Sequence, residues 1–141
     1  MDSLDMAGHL IRRMHQQSTQ IFAQKTQAAG FDLTSVQFAA LDAIQAHPAS
    51  DQARIAEIIA YDRATIGGVI QRLEQKGWVH RIVSERDRRA RELSLTAEGR
   101  RVHAALLPVV RAVQDDILQP LSRAERECFH RLARRIVRPQ A

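Results

Sequence analysis

The chain has 141 residues, 45% of them hydrophobic, so it can bury a core as one domain without disulfide or metal support. A formal charge of +5 at pH 7 favours a polyanionic partner, and 19 of the 21 basic residues are arginine, whose planar head suits phosphates and base edges. No apolar run is long enough to span a membrane, the acidic start "MDSLDMAGHL" lacks a signal-peptide core, and the lone Cys128 excludes an internal disulfide, so a cytoplasmic protein without a membrane partner is expected.

Caps and periodicity predict six helices and one hairpin. Residues 4–28 place Leu10, Met14, Ile21 and Phe22 at helical spacing and end at Gly30. "TSVQ" at 34–37 is a capping box, with Thr34 as N-cap and Gln37 at the third position, and it opens a helix whose Phe38, Leu41 and Ile44 share a face. Asp51 caps a third helix carrying Ile55, Ala56 and Ile59. After a short turn at Tyr61, Asp62 is placed to cap a fourth helix over 63–76, with Ile66, Val69, Ile70 and Leu73 inward and Gly77 as the stop.

"WVHRIVS" and "RELSLT" alternate with a period of two and read as strands, with Val79 and Val83 on one face of the first and Leu93 and Leu95 on one face of the second. Thr96 caps a helix that runs to about Ile117, with Pro108 inside it as an expected kink. "SRAE" at 122–125 is a second capping box, opening a helix with Phe129, Leu132, Ile136 and Val137 on one face. The order is α-α-α-α-β-β-α-α, a mainly α fold.

Two short helices joined by a tight turn and followed by a hairpin form a winged helix-turn-helix. A helix fits the major groove, and its N-terminal residues reach base edges. With the apolar stripe turned inward, Arg63, Ala64, Thr65, Gly67, Gly68, Gln71 and Arg72 are left as the outward surface. Gly67-Gly68 costs helix stability, which reads either as close approach to DNA or as packing against a neighbouring helix. The tip "VSERDRRAREL" between the strands reads either as a solvated loop or as a finger for a groove; Arg86, Asp87, Arg88 and Arg89 are its candidate contacts.

The strings "DLTSVQFAALDAI", "ARIAEIIAYDRATIGGVIQRLEQKGWV" and "SERDRRARELSLTAEG" resemble the MarR family of bacterial regulators over essentially the whole chain. The most specific pieces are the wing motif Asp87-Arg88-Arg89 and the following "LSLTAEG". The resemblance implies a single unit over 1–141, with a winged core at 34–99 and dimerisation helices at 1–30 and 100–141. It implies a homodimer on a pseudo-palindromic operator, with recognition helices in major grooves and wings in the flanking minor grooves. Arg89 matches the wing arginine that enters the minor groove, and Asp87 matches the residue that braces it. Many members carry a polar or arginine pair where this chain has Gly67-Gly68.

The apolar faces of the terminal helices, at Leu10, Met14, Phe129, Leu132 and Ile136, are the candidate dimer contacts. A small effector, possibly an aromatic carboxylate in the family's manner, is implied by the resemblance, with His9, Arg12 and His15 as candidate contacts. Cys128 reads as a buried thiol in the last helix, with a redox-sensing regulator as the alternative. The histidines and Cys128 form no metal-ligand pattern, and no nucleophile elbow, phosphate loop or dinucleotide fingerprint is present, so neither a metal, a cofactor nor an enzyme is expected. The sequence thus predicts a transcriptional regulator, most simply a repressor. Its rivals are a sequence-tolerant architectural DNA-binding protein and a protein-interaction module in which the arginines only solubilise.

Overall fold

The computed structural model describes residues 2–87 and 91–137. A 3-10 turn, Ser3–Asp5, leads into α1 (Ala7–Ala28), and α2 (Ser35–Ala46), α3 (Gln52–Ile58) and α4 (Ile66–Gln75) follow. An antiparallel hairpin of β1 (Val79–Val83) and β2 (Arg91–Leu95) leads to α5 (Ala97–Ile117) and α6 (Arg123–Ile136). The mainly α winged helix-turn-helix read from the sequence is the fold observed.

Four of the expected caps form. Thr34 Oγ1 accepts the Gln37 N–H at 3.2 Å while Gln37 Oε1 accepts the Thr34 N–H at 3.1 Å. Asp51 Oδ1 accepts from Arg54 N–H at 2.8 Å, and Thr96 Oγ1 from Gly99 N–H at 2.9 Å. Ser122 and Glu125 complete the second reciprocal box. Each satisfies backbone donors that a helix leaves orphaned in its first turn. Gly30 and Gly77 end their helices at φ +88° and +78°, where a glycine costs nothing.

Two boundaries differ from the sequence reading. The first helix starts at Ala7, because Asp2 Oδ1 accepts the Leu4 N–H and closes the 3-10 turn ahead of it. The fourth starts at Ile66, because Asp62 Oδ1 accepts the Ala64 N–H at 2.9 Å and bends residues 63–65 into a turn. Pro108 lies inside α5 without ending it. The hairpin also gains a neighbour: Leu93 N–H donates to the Ser50 carbonyl at 2.8 Å, an isolated bridge that adds a third rung to the wing's base. Of the β1 face expected to carry Val79 and Val83, Val79 is buried and Val83 is 49% exposed, since the hairpin projects beyond the core there.

The core joins α2, α3, α4, the hairpin and α5, with Leu41, Ile55, Ile70, Leu73, Leu93 and Leu106 fully buried. Burying each such side chain stabilises the fold by about 1.5–3 kcal/mol. The junction of α5 with the wing is especially close. A Cβ on Gly99 would lie 1.9 Å from the Trp78 carbonyl oxygen, which already accepts the Thr96 N–H. Thr96 Oγ1 donates to the Gly77 carbonyl at 2.6 Å, so "LTAEG" is a joint between β2, α5 and the end of α4. Farther along α5, buried His103 meets Asp42 Oδ1 of α2 at 2.8 Å and lies parallel to the Phe38 ring.

Candidate nucleic-acid interface

α4 presents its stripe of Ile66, Val69, Ile70 and Leu73 to the core, so its opposite face is exposed by construction. Arg63, Ala64 and Thr65 are exposed in the turn before the helix, and Gly68, Gln71 and Arg72 are exposed on it. Gly67 is half-buried beneath Gln52 of α3. The guanidinium groups of Arg63 and Arg72 and the carboxamide of Gln71 have no side-chain partner among the described residues. These donors are therefore unspent. By contrast Arg81 is spent on Glu74 at 2.7 Å, an ion pair that fastens β1 to α4.

The glycine pair has ordinary helical backbone, so no positive φ explains it. A Cβ on Gly68 would meet nothing within 4 Å, and one on Gly67 would meet only the Gln52 side chain, at 3.2 Å. Gly68 therefore leaves bare backbone on the outward face, whereas Gly67, expected to face outward, lies partly covered by the Gln52 side chain.

At the wing, buried Ser84 organises the base of the tip: its Oγ accepts the Arg86 N–H at 3.2 Å and the Asp87 N–H at 3.3 Å. Arg86 and Asp87 are exposed. Arg88 and Arg89, the other two wing candidates, lie outside the described residues.

The three effector candidates do not form one cluster. Arg12 and His9 bond each other, Nη2 to Nδ1 at 2.8 Å, on an exposed face of α1. His15 lies on another face, in a groove of about 350 Å³ with Met14, Ile117, Phe129 and His130. The candidate dimer contacts stay uncovered: Leu10, Met14, Leu132 and Ile136 are exposed, Phe129 is half-buried, and α6 buries no residue. For the same reason Cys128, expected to be buried, is only half-buried, and Arg131 Nη2 donates to its sulfur at 3.4 Å.

No group of three or more His, Cys, Asp or Glu that could hold a metal occurs among the described residues, and none of their helices is long and apolar enough to cross a membrane.

Comparison with known proteins sets this geometry in a family. The MarR family profile matches residues 31–90. The transcriptional repressor NicR of Pseudomonas putida is 34% identical over 96% of this chain and 85% of its own length. The chain belongs to the MarR family of transcriptional regulators. Its fold matches BpsR of Bordetella bronchiseptica with a TM-score of 0.88 and 29% identity over 96% of each chain; 6-hydroxynicotinic acid regulates DNA binding by BpsR. It also matches the transcriptional repressor CouR, solved bound to a 23-mer DNA duplex, with a TM-score of 0.86 and 25% identity over 98% of this chain and 99% of that one.

Sequence reasoning missed three residues. Ser84 carries no motif, and its role depends on the hairpin bringing its hydroxyl under two backbone amides. His103 and Asp42 are 61 residues apart and meet only because α5 crosses α2. A buried-histidine signal exists in the apolar register Val102, Leu106, Val113 that His103 adjoins.

Proposed function

We propose that this protein is a homodimeric, sequence-specific repressor that binds a pseudo-palindromic operator and is released by a small aromatic carboxylate. The observation that carries the reading is the set of unspent donors, Arg63, Gln71 and Arg72, on the outward face of the recognition helix and its entry turn. None of these groups has a side-chain partner among the described residues, and phosphate oxygens and purine edges complement them. Arg63 and Arg72 bracket the helix and position it through phosphates, while Thr65 and Gln71 read bases. Gly67 and Gly68 let the helix backbone sit close to the groove floor. Arg86 and Arg88 meet phosphates, and Arg89 enters an A·T-rich minor groove whose narrow walls concentrate negative potential. Asp87 orients Arg89, removing freedom that binding would otherwise cost.

The dimer is supported by the uncovered apolar residues Leu10, Met14, Leu132 and Ile136, with Phe129 beside them. Two-fold symmetry then spaces the two recognition helices for successive major grooves. An effector releases DNA only through its preference for a dimer with the helices wrongly spaced. The regulation of BpsR by a heteroaromatic carboxylic acid supports that ligand class.

Fluorescence anisotropy with labelled DNA from the protein's own upstream region, against a scrambled duplex at several salt concentrations, tests the reading. Binding at least roughly 10³-fold tighter to the upstream DNA, and lost in Arg89→Ala, is expected. Equal binding to both duplexes with a steep salt slope marks an architectural protein instead. No binding to either, with Arg63→Ala and Arg89→Ala both silent, marks an interaction module.

A further inference from the structure

Gly67 of the recognition helix lies against a side chain of α3. Gln52, the first residue of α3, lays its carboxamide over the glycine: a Cβ at 67 would stand 3.2 Å from the Gln52 Nε2 and 3.9 Å from its Oε1. Gln52 is half-buried, and its carboxamide has no hydrogen-bond partner among the described residues. The two residues before it are fastened. The Ser50 carbonyl accepts the Leu93 N–H at 2.8 Å, and Asp51 Oδ1 accepts the Arg54 N–H at 2.8 Å. The amide is thus an unspent polar group on a fixed mount.

The recognition helix is short of reach where Gln52 crosses it. Between Arg63 and Gln71 the outward residues are Ala64, Thr65, Gly67 and Gly68, none longer than a hydroxyl, while Ile66, Val69 and Ile70 are turned inward. Yet the N-terminal turn is the part of such a helix that touches base edges. A carboxamide brought in from α3 supplies the missing reach. It offers a donor and an acceptor side by side, whereas phosphate oxygens only accept. That pair matches the N6 amino group and N7 of adenine in the major groove.

We propose that Gln52 is a specificity-determining residue, which reaches the major groove past Gly67 and pairs with one adenine in each half-site. This rests on the DNA-binding reading above and adds to it a base contact from outside the recognition helix. Gly67 then has a use besides backbone approach: its missing side chain is the passage for the amide. Even a methyl at 67 presses on the Gln52 Nε2, so a longer side chain there closes the passage. The base read at this point is set by α3, and the bases read by Thr65 and Gln71 are set by α4 and its entry turn.

The test is selection from a randomised duplex library by full-length wild type, Gln52→Ala and Gln52→Glu, followed by anisotropy on the selected duplexes with single bases changed. Wild type should select an adenine at one position of each half-site, and changing it should weaken binding about tenfold or more. Gln52→Ala should lose the preference at that position and keep it at the others. Gln52→Glu should move it to cytosine, whose N4 amino group donates to a carboxylate. Preference is a ratio between duplexes, so any loss of folded protein in a variant cancels from it. Unchanged base preferences in both variants would overturn the proposal and leave Gln52 as a cover for Gly67. Equal weakening on every duplex would overturn it too, as the mark of a phosphate contact. A wild type with no preference at any position would sink the regulator reading and this proposal with it, whereas the two preceding outcomes leave that reading standing.

Discussion

Leu41, Ile55, Ile70, Leu73 and Leu93 in the winged core are completely buried, whereas Leu10, Met14, Leu132 and Ile136 on the terminal helices are 43% to 68% exposed. Both regions are amphipathic helices built from the same residue types. In the core each apolar stripe faces another stripe of the same chain, and at Gly99 the backbones of α5 and the wing approach so closely that no Cβ fits. The α6 stripe has no such counterpart: the helix is capped at its start and charged on its flank, but buries nothing. The contrast separates what the chain completes alone from what it leaves for a partner.

The difference can be broken most severely in the core. Gly99→Ala forces a methyl against the Trp78 carbonyl, and urea denaturation should show a loss of about 3 kcal/mol, since backbone cannot yield as a side chain can. An unchanged midpoint would mean that the joint between α5 and the wing is loose. His103→Ala removes both the bond to Asp42 and the stack on Phe38, and should cost about 2 kcal/mol in the same assay. Asp42→Asn, which keeps an acceptor, should cost less.

At the periphery the effect is smaller and depends on pH. The Ser122 backbone N–H, and then its hydroxyl, hold the Glu125 carboxyl below the usual carboxylate range. A lowered folded value means that the stabilisation is present above the ordinary carboxylate range and is lost as pH falls through the lowered value. An NMR pH titration should therefore place the Glu125 midpoint below that of a free glutamate, and in Glu125→Gln the fraying of α6 should no longer respond to acid. A midpoint at the free value would show that the capping box does not hold in solution.

The sequence made this contrast partly legible. Capping residues announce themselves, because Thr34, Asp51, Thr96 and Ser122 each act on amides two or three positions away. The recognition stripe was legible from its spacing, and the terminal stripes stood out as apolar surface with no evident cover. Contacts set by tertiary approach were not legible. Ala60 adopts φ +54° in the turn after α3, a conformation that a glycine would have signalled and an alanine does not. Asp62 was seen as a cap, but which amide it would take was not, so the start of α4 was read three residues early.

On the proposed function, a second copy of this chain covers the terminal helices and so creates the DNA-binding form. Sedimentation equilibrium of the wild type and of the Leu132→Glu/Ile136→Glu variant, each with upstream-DNA binding measured in parallel, tests it most directly. A wild-type mass of twice 15.9 kDa is expected. The variant should sediment at the single-chain mass with its thermal unfolding of the winged core retained and its operator binding lost. A wild type that sediments as a monomer while binding the operator in full would contradict it.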